Sequence, residues 1–316
     1  MAEVAANLKS VCDKISYAVT KRTSEYQYYE PRLVAISKLQ STVSIVSAYE
    51  AGQRNFGENY INELVEKAFS PLILEKCKQI RWHFIGHLQR NKINKVLSIP
   101  NLYIIETVDS DRLANALNNS WPKFRKRNDS KLNVMIQVNT SQEKEKNGCD
   151  IAQVSTLVKH VLENCSNLNF MGLMTIGMYG YDIKDGPNPD FICLIKCREK
   201  IHDELGIDVK DIELSMGMSS DYEHALLVVF GLLAVVNVCY AGLIAPAIAP
   251  AAIAIAPAKT AWAPAAGWSG AGWGSGWGGA GWGGAKWGGN GWGDAGWSGA
   301  KWGNSWGAAP IGFKLG

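Results

Sequence analysis

The first chemically suggestive stretch is Arg32-Leu33-Val34-Ala35-Ile36-Ser37-Lys38, a short apolar run that ends on a lysine. Four successive apolar residues without alternation read as a strand buried on both faces, the usual state in a parallel sheet. The C-terminal end of such a strand is where α/β folds gather their ligands. A lysine there buries its stem easily, and desolvation lowers the amine's pKa, so a neutral amine becomes available to form a Schiff base with an aldehyde. Taken alone, a strand-end lysine more often just reaches solvent. Other polar residues shift that balance, because Asn59, His83, Asn139, Thr175 and Ser215 also fall at strand ends. Each has a plain alternative role: His83 a hydrogen-bonded core histidine, Asn59 a turn former. In a barrel, however, all of these positions face the mouth. Ser215-Met216-Gly217-Met218-Ser219-Ser220-Asp221 adds an anion-binding element. Gly217 permits a tight turn, and Ser219 or Ser220 can cap a helix beginning near Asp221, leaving free N–H groups to seat a phosphate. A serine pair alone is usually an ordinary cap; opposite a lysine it points to a phosphorylated aldehyde.

The elements that must position these residues alternate along the chain. Val4, Leu8, Val11, Cys12, Ile15 and Val19 at helical spacing predict an amphipathic opening helix. The Lys38 strand follows, then a helix near 42–52 with Gly52 as its stop. Strands are expected at 55–59, 80–86, 102–108, 134–138, 170–176 and 212–217. Helices are expected at 60–69, through Lys92 and Lys95, and at 111–120, 151–164 and 191–204, with Asp109-Ser110-Asp111 as a cap. Seven strand–helix alternations predict a parallel sheet wound with helices, one strand short of a closed (β/α)8 barrel.

Composition narrows the function classes. A chain of 316 residues with a net charge of +3 gives no sign of nucleic-acid binding. Residues 1–225 are neutral, with 28 basic and 28 acidic side chains, so the excess lies in the tail. The seven cysteines form no CxxC pair, and Cys193 and Cys197 lack His/Cys partners at metal-ligand spacing, which fits thiols in a reducing cytosol. The N-terminus shows no basic segment followed by an apolar one, so no export signal is expected there.

Residues 1–225 resemble the pyridoxal-phosphate homeostasis protein family, whose fold is similar to the alanine-racemase N-terminal barrel. The resemblance is carried by Val34-Ala35-Ile36-Ser37-Lys38, Phe56-Gly57-Glu58-Asn59-Tyr60, Trp82-His83-Phe84-Ile85-Gly86-His87-Leu88-Gln89 and Glu106-Thr107-Val108-Asp109-Ser110. Further on it is carried by Gly172-Leu173-Met174-Thr175-Ile176-Gly177, Gly186-Pro187-Asn188-Pro189-Asp190-Phe191 and Leu214-Ser215-Met216-Gly217-Met218-Ser219. It implies a TIM-type (β/α)8 barrel that binds pyridoxal 5'-phosphate on Lys38 as a Schiff base. Asn59 and His83 would line the pocket, Ser215 and Ser219 would lie by the phosphate, and Met218 would be a further cofactor-binding position. It also implies a cytoplasmic, monomeric binder in vitamin B6 homeostasis, without catalytic turnover and without a metal.

The chain departs from that family after His224-Ala225. The family continues into an eighth strand with an arginine followed by Gly-Ser/Thr, whereas the last arginine here is Arg198. Residues 226–242 form instead an apolar run, ending in small residues spaced like a signal-peptidase site. It is a little short and glycine-broken for a membrane span, so membrane association is expected only if 226–241 inserts. An Ala/Pro stretch and then a Gly/Trp repeat occupy 243–316. Residues 226–316 hold 22 of the 32 glycines and 10 of the 12 tryptophans, which predicts a low-complexity, disordered tail. The expected organisation is therefore a barrel (1–225), a signal-like segment (226–242) and a tail (243–316), as from two joined coding segments. The tail resembles secreted glycine-rich structural proteins of cuticle or silk, which is the alternative function. An amino-acid racemase is a weaker one, since nothing after 225 resembles the second domain that such enzymes need. Because open edges at 33–37 and 212–217 would leave backbone groups unpaired, residues 234–240 are expected to serve as the eighth strand, with 226–233 as the helix before it.

Overall fold

The computed structural model describes residues 2–22, 30–229 apart from loop positions 126, 128, 144 and 179, and 312–315. An opening helix α1 (Ala2–Thr20) precedes a regular alternation of strands and helices. The strands are β1 (Pro31–Ile36), β2 (Asn55–Glu58), β3 (Arg81–Phe84), β4 (Leu102–Val108), β5 (Leu132–Gln137), β6 (Leu168–Met174) and β7 (Glu213–Ser215). They lie side by side in chain order and are parallel throughout. The helices between them are α2 (Thr42–Glu50), α3 (Ile61–Ala68), α4 (Pro71–Lys76), α5 (Ile93–Leu97), α6 (Asp111–Ser120), α7 (Val154–Asn164) and α8 (Pro189–Leu205), with α9 (Tyr222–Val229) after β7. The curled parallel α/β sheet is of the TIM type, as the alternation predicts. The short α4, opened by Pro71, has no counterpart in the expected elements.

Local chemistry explains the boundaries. Ser41 caps α2 by accepting the Ser44 amide at 3.1 Å, and Ser110 caps α6 by accepting that of Leu113 at 3.4 Å. α8 begins with Asn188 as cap and Pro189 in the first turn, and stops at Gly206 in the left-handed region (φ +70°). The strands are apolar on both faces because helices cover one face and the barrel interior fills the other. Phe56, Trp82, Ile105, Val134 and Leu173 belong to the large core shared with the helices. Ile104, Met135 and Met174 form a smaller cluster with Ile85, Tyr103 and Met171. Arg32 makes a two-pronged pair with Glu213, at 3.0 and 3.2 Å, tying β1 to β7 across the gap between them.

Closure differs from the expectation. The eighth position is taken by β8 (Gly312–Leu315), which runs antiparallel between β1 and β7. It pairs Pro31 with Leu315 and Val34 with Gly312 on one side, and Leu214 with Leu315 and Ser215 with Lys314 on the other. The slot assigned to 234–240 is thus filled by a segment far downstream, and 230–242 lie outside the described residues. An edge strand needs backbone donors and acceptors, which an antiparallel partner supplies as well as a parallel one. The apolar run expected to open a separate segment at 226 starts inside the barrel: α9 crosses that point, and Leu226, Val228 and Val229 are buried. The Gly/Trp repeat also lies outside the described residues. Among the described residues, no helix is long and apolar enough to cross a membrane.

Candidate functional site

A cavity of about 140 Å³ opens at the C-terminal ends of the strands, with Val34, Ile36 and Met174 among its apolar walls. Lys38, Asn59, Thr175, Ser215 and Met218 all line it. The structure thus brings together most of the polar strand ends singled out in the sequence, from β1, β2, β6 and β7. Lys38 follows β1 in a tight turn, where the Ser37 amide donates to the Gly57 carbonyl and the Gln40 amide to the Ser37 carbonyl, both at 2.9 Å. The lysine is half-buried and makes no hydrogen bond or ion pair among the described residues. A lysine side chain left unengaged on a mostly apolar wall is available to a ligand.

Asn59 is held by its neighbour across the β2–β3 boundary. Gly86 packs so closely that a Cβ there would lie 1.8 Å from the Asn59 carbonyl oxygen. The Oδ1 atom of Asn59 is buried with no hydrogen-bond partner among the described residues, an acceptor waiting for a donor.

His83 differs from its expected place. It is fully buried and does not line the cavity; it sits behind Glu106, which does. His83 Nδ1 lies 2.5 Å from Glu106 Oε1, and its Nε2 lies 3.2 Å from Asn55 Oδ1. Ser215 donates its hydroxyl to the other Glu106 oxygen at 2.6 Å. Glu106 therefore joins β3, β4 and β7 and fixes the Ser215 hydroxyl, which leaves that oxygen's lone pairs for a ligand. Sequence reasoning placed Glu106 in a motif but gave it no role. Its signal is a carboxylate inside an apolar strand, which must find partners once buried.

The turn after β7 is built around Gly217 (φ +86°), a conformation that side chains with a Cβ rarely adopt. In the turn before α9, Asp221 Oδ1 accepts the Met218 amide at 2.5 Å, and α9 starts at Tyr222. Burial pushes the Asp221 carboxyl up, against the Met218 hydrogen bond that pulls it down. Ser219 and Ser220 are exposed on the turn, and Ser219 does not line the cavity. Asn139 contributes to a neighbouring cavity of about 150 Å³, which shares Thr175 and Ile176 with the first.

A barrel whose mouth is lined by a lysine after its first strand and a glycine turn after its seventh defines a recognisable class. The family described as alanine racemase, N-terminal domain, matches residues 19–233. The pyridoxal phosphate homeostasis protein of Homo sapiens is 46% identical over 223 residues, covering 71% of this chain and 80% of the relative. That of Caenorhabditis elegans is 40% identical over 223 residues, covering 71% and 89%. The chain belongs to the pyridoxal phosphate homeostasis protein family. Among solved structures, PipY of Synechococcus elongatus with PLP bound is similar at 26% identity and a TM-score of 0.54, over 69% of this chain and 93% of that one. An unknown protein from Bifidobacterium adolescentis reaches 29% identity and a TM-score of 0.59, over 71% and 89%. The relatives carry the name of homeostasis proteins, not of enzymes.

Proposed function

We propose that this protein binds pyridoxal 5'-phosphate in the cavity at the barrel mouth, as a non-enzymatic cytoplasmic binder that helps to hold vitamin B6 in balance. The observation that carries this is Lys38, a side chain without a hydrogen bond or ion pair among the described residues, on the wall of a cavity that Ser215 and Met218 also line. When bound, the cofactor would supply an aldehyde, and the Lys38 amine would hold it as a Schiff base with loss of water. Asn59 presents its unpartnered Oδ1 to a donor on the ring. The Gly217 turn and the N-terminus of α9 receive the phosphate, with Ser219 as a hydroxyl donor and Ser215 beside it, its own O–H spent on Glu106. His83 acts through Glu106 rather than by contact. A homologue with PLP bound and relatives named for its homeostasis support the reading.

Binding is weaker here than in family members with an arginine-bearing eighth strand. No arginine follows Arg198, and charge-assisted contacts to a phosphate are among the stronger ones.

The test is a titration of the full chain with pyridoxal 5'-phosphate, followed by absorbance, with borohydride used to fix the adduct on a single peptide. Lys38→Ala should abolish the fixed adduct and the absorbance. Retention of the full adduct by that variant would remove Lys38 from the role.

A further inference from the structure

The backbone on either side of Lys38 is held by one buried ionic cluster. Lys67, on α3, donates to the Ser37 carbonyl at 2.5 Å, to Glu58 Oε1 at 2.7 Å and to Glu63 Oε1 at 2.6 Å. An ammonium has three donors, so all of Lys67's are spent, and it does not line the cavity. The Ser37 hydroxyl donates to the same Glu58 oxygen at 2.7 Å, and the Leu39 amide donates to Glu63 Oε1 at 2.5 Å. Glu58 is fully buried and Lys67 nearly so.

Two features make this more than packing. Buried charge clusters are weak sources of stability, because desolvation offsets their attraction and apolar side chains of similar size often do as well. What apolar side chains could not do is hold two backbone groups. Leu39, moreover, sits in the left-handed region at φ +61° with 82% of its surface exposed. A bulky residue stays in that region only where its surroundings over-determine it, and its own side chain packs on almost nothing. The Leu39 amide on Glu63 adds a side-chain anchor to the Gln40–Ser37 backbone bond that closes the turn. Burial pushes the Glu58 carboxyl up, and Lys67 and Ser37 work against that shift.

We propose that Glu58, Glu63 and Lys67 are positioning residues for Lys38, clamping Ser37 and Leu39 so that the amine between them stays on the cavity wall. The consequence for the cofactor rests on the reading of Lys38 given above. Glu63 is the member to probe, since it alone holds the residue after the lysine. Glu63→Ala removes the acceptor, and Glu63→Gln keeps an oxygen for the Leu39 amide. Val158→Ala, in the buried face of α7, serves as a control that lowers stability away from the site.

Each full-length variant is measured twice: for Leu39 amide exchange without ligand, and for borohydride-fixed adduct on Lys38 with limiting pyridoxal 5'-phosphate. Loss of one charge-assisted backbone bond should speed Leu39 exchange and reduce the adduct, each about tenfold, in Glu63→Ala. Glu63→Gln should stay within about threefold of wild type, and Val158→Ala should keep its adduct. An undiminished adduct in Glu63→Ala, an equal loss in Val158→Ala, or a failure of Glu63→Gln to rescue would each overturn the proposal. Should the wild-type chain form no adduct on Lys38, the cofactor reading falls and the exchange arm decides alone. Slow Leu39 exchange that Glu63→Ala releases then upholds the clamp, and fast exchange in wild type refutes it.

Discussion

Replacing Gly86 with alanine tests how tightly the two halves of the cavity wall are coupled. The added methyl would lie 1.8 Å from the Asn59 carbonyl oxygen and 2.7 Å from its carbonyl carbon, both backbone atoms that cannot rotate away. Real Cβ contacts stop near 3.0 Å, so the backbones after β2 and β3 must separate by roughly 1.2 Å. Two hydrogen bonds hold this segment: the Ile85 amide to the Glu58 carbonyl at 2.9 Å across the junction, and the Thr107 hydroxyl of β4 to the Gly86 carbonyl at 2.7 Å on its other side. A separation of that size breaks at least one of them, at about 0.5–1.5 kcal/mol. Overpacking a tight site costs a further 1–3 kcal/mol or so. Gly86→Ala should therefore lose about 2–4 kcal/mol in urea denaturation. It should also weaken pyridoxal phosphate binding, because Asn59 moves with its carbonyl. Gly52 provides the contrast: it has a φ of +105° and nothing within 4 Å of a Cβ, so Gly52→Ala carries conformational strain alone, about 1 kcal/mol, with binding unchanged. Wild-type stability and affinity in Gly86→Ala, or the same profile in both variants, would refute the reasoning.

Two further outcomes are expected. His224 Nε2 accepts the Asn188 amide at 3.2 Å, and burial holds its imidazole below the usual histidine range despite nearby Asp221. A base whose folded pKa is depressed contributes its full stability above the unfolded value near 6.5, and loses it as pH falls towards the folded value. Urea midpoints should therefore decline below about pH 6.5, and His224→Gln should flatten that decline; an unchanged slope would exclude His224 as its source. Deleting the chain after Pro310 removes β8 and should speed amide exchange in Pro31–Ile36 and Glu213–Ser215, the two strands it joins. Unaltered protection there would show that β8 does not close the barrel in solution.

Much of the barrel could be read from residue order. Continuous apolar runs such as Leu33–Ile36 mark strands covered on both faces, and Gly52 and Ser110 mark helix ends, because caps and burial periodicity are local properties. Lys38, Asn59, Thr175 and Ser215 could be placed together for a related reason. In parallel strands wound with helices, every strand end lies at the same mouth, so spacing alone implies convergence.

What the sequence could not reveal depends on partners remote in the chain. Glu106 looks like one more strand residue until β3 brings His83 and β7 brings Ser215 against its two oxygens. Those contacts also decide that His83 stands behind the wall and not on it. Lys67 reads as the basic end of an amphipathic helix, and only the β1–β2–α3 junction turns it inward onto Ser37 and Glu58. Closure is the plainest case. Residues 234–240 have the stronger local strand pattern, yet Gly312–Leu315 lies between β1 and β7. Sequence pattern sets which residues prefer an extended, buried backbone; which of them supplies hydrogen bonds to a given open edge is a contest between distant segments, settled only when the edges exist in three dimensions.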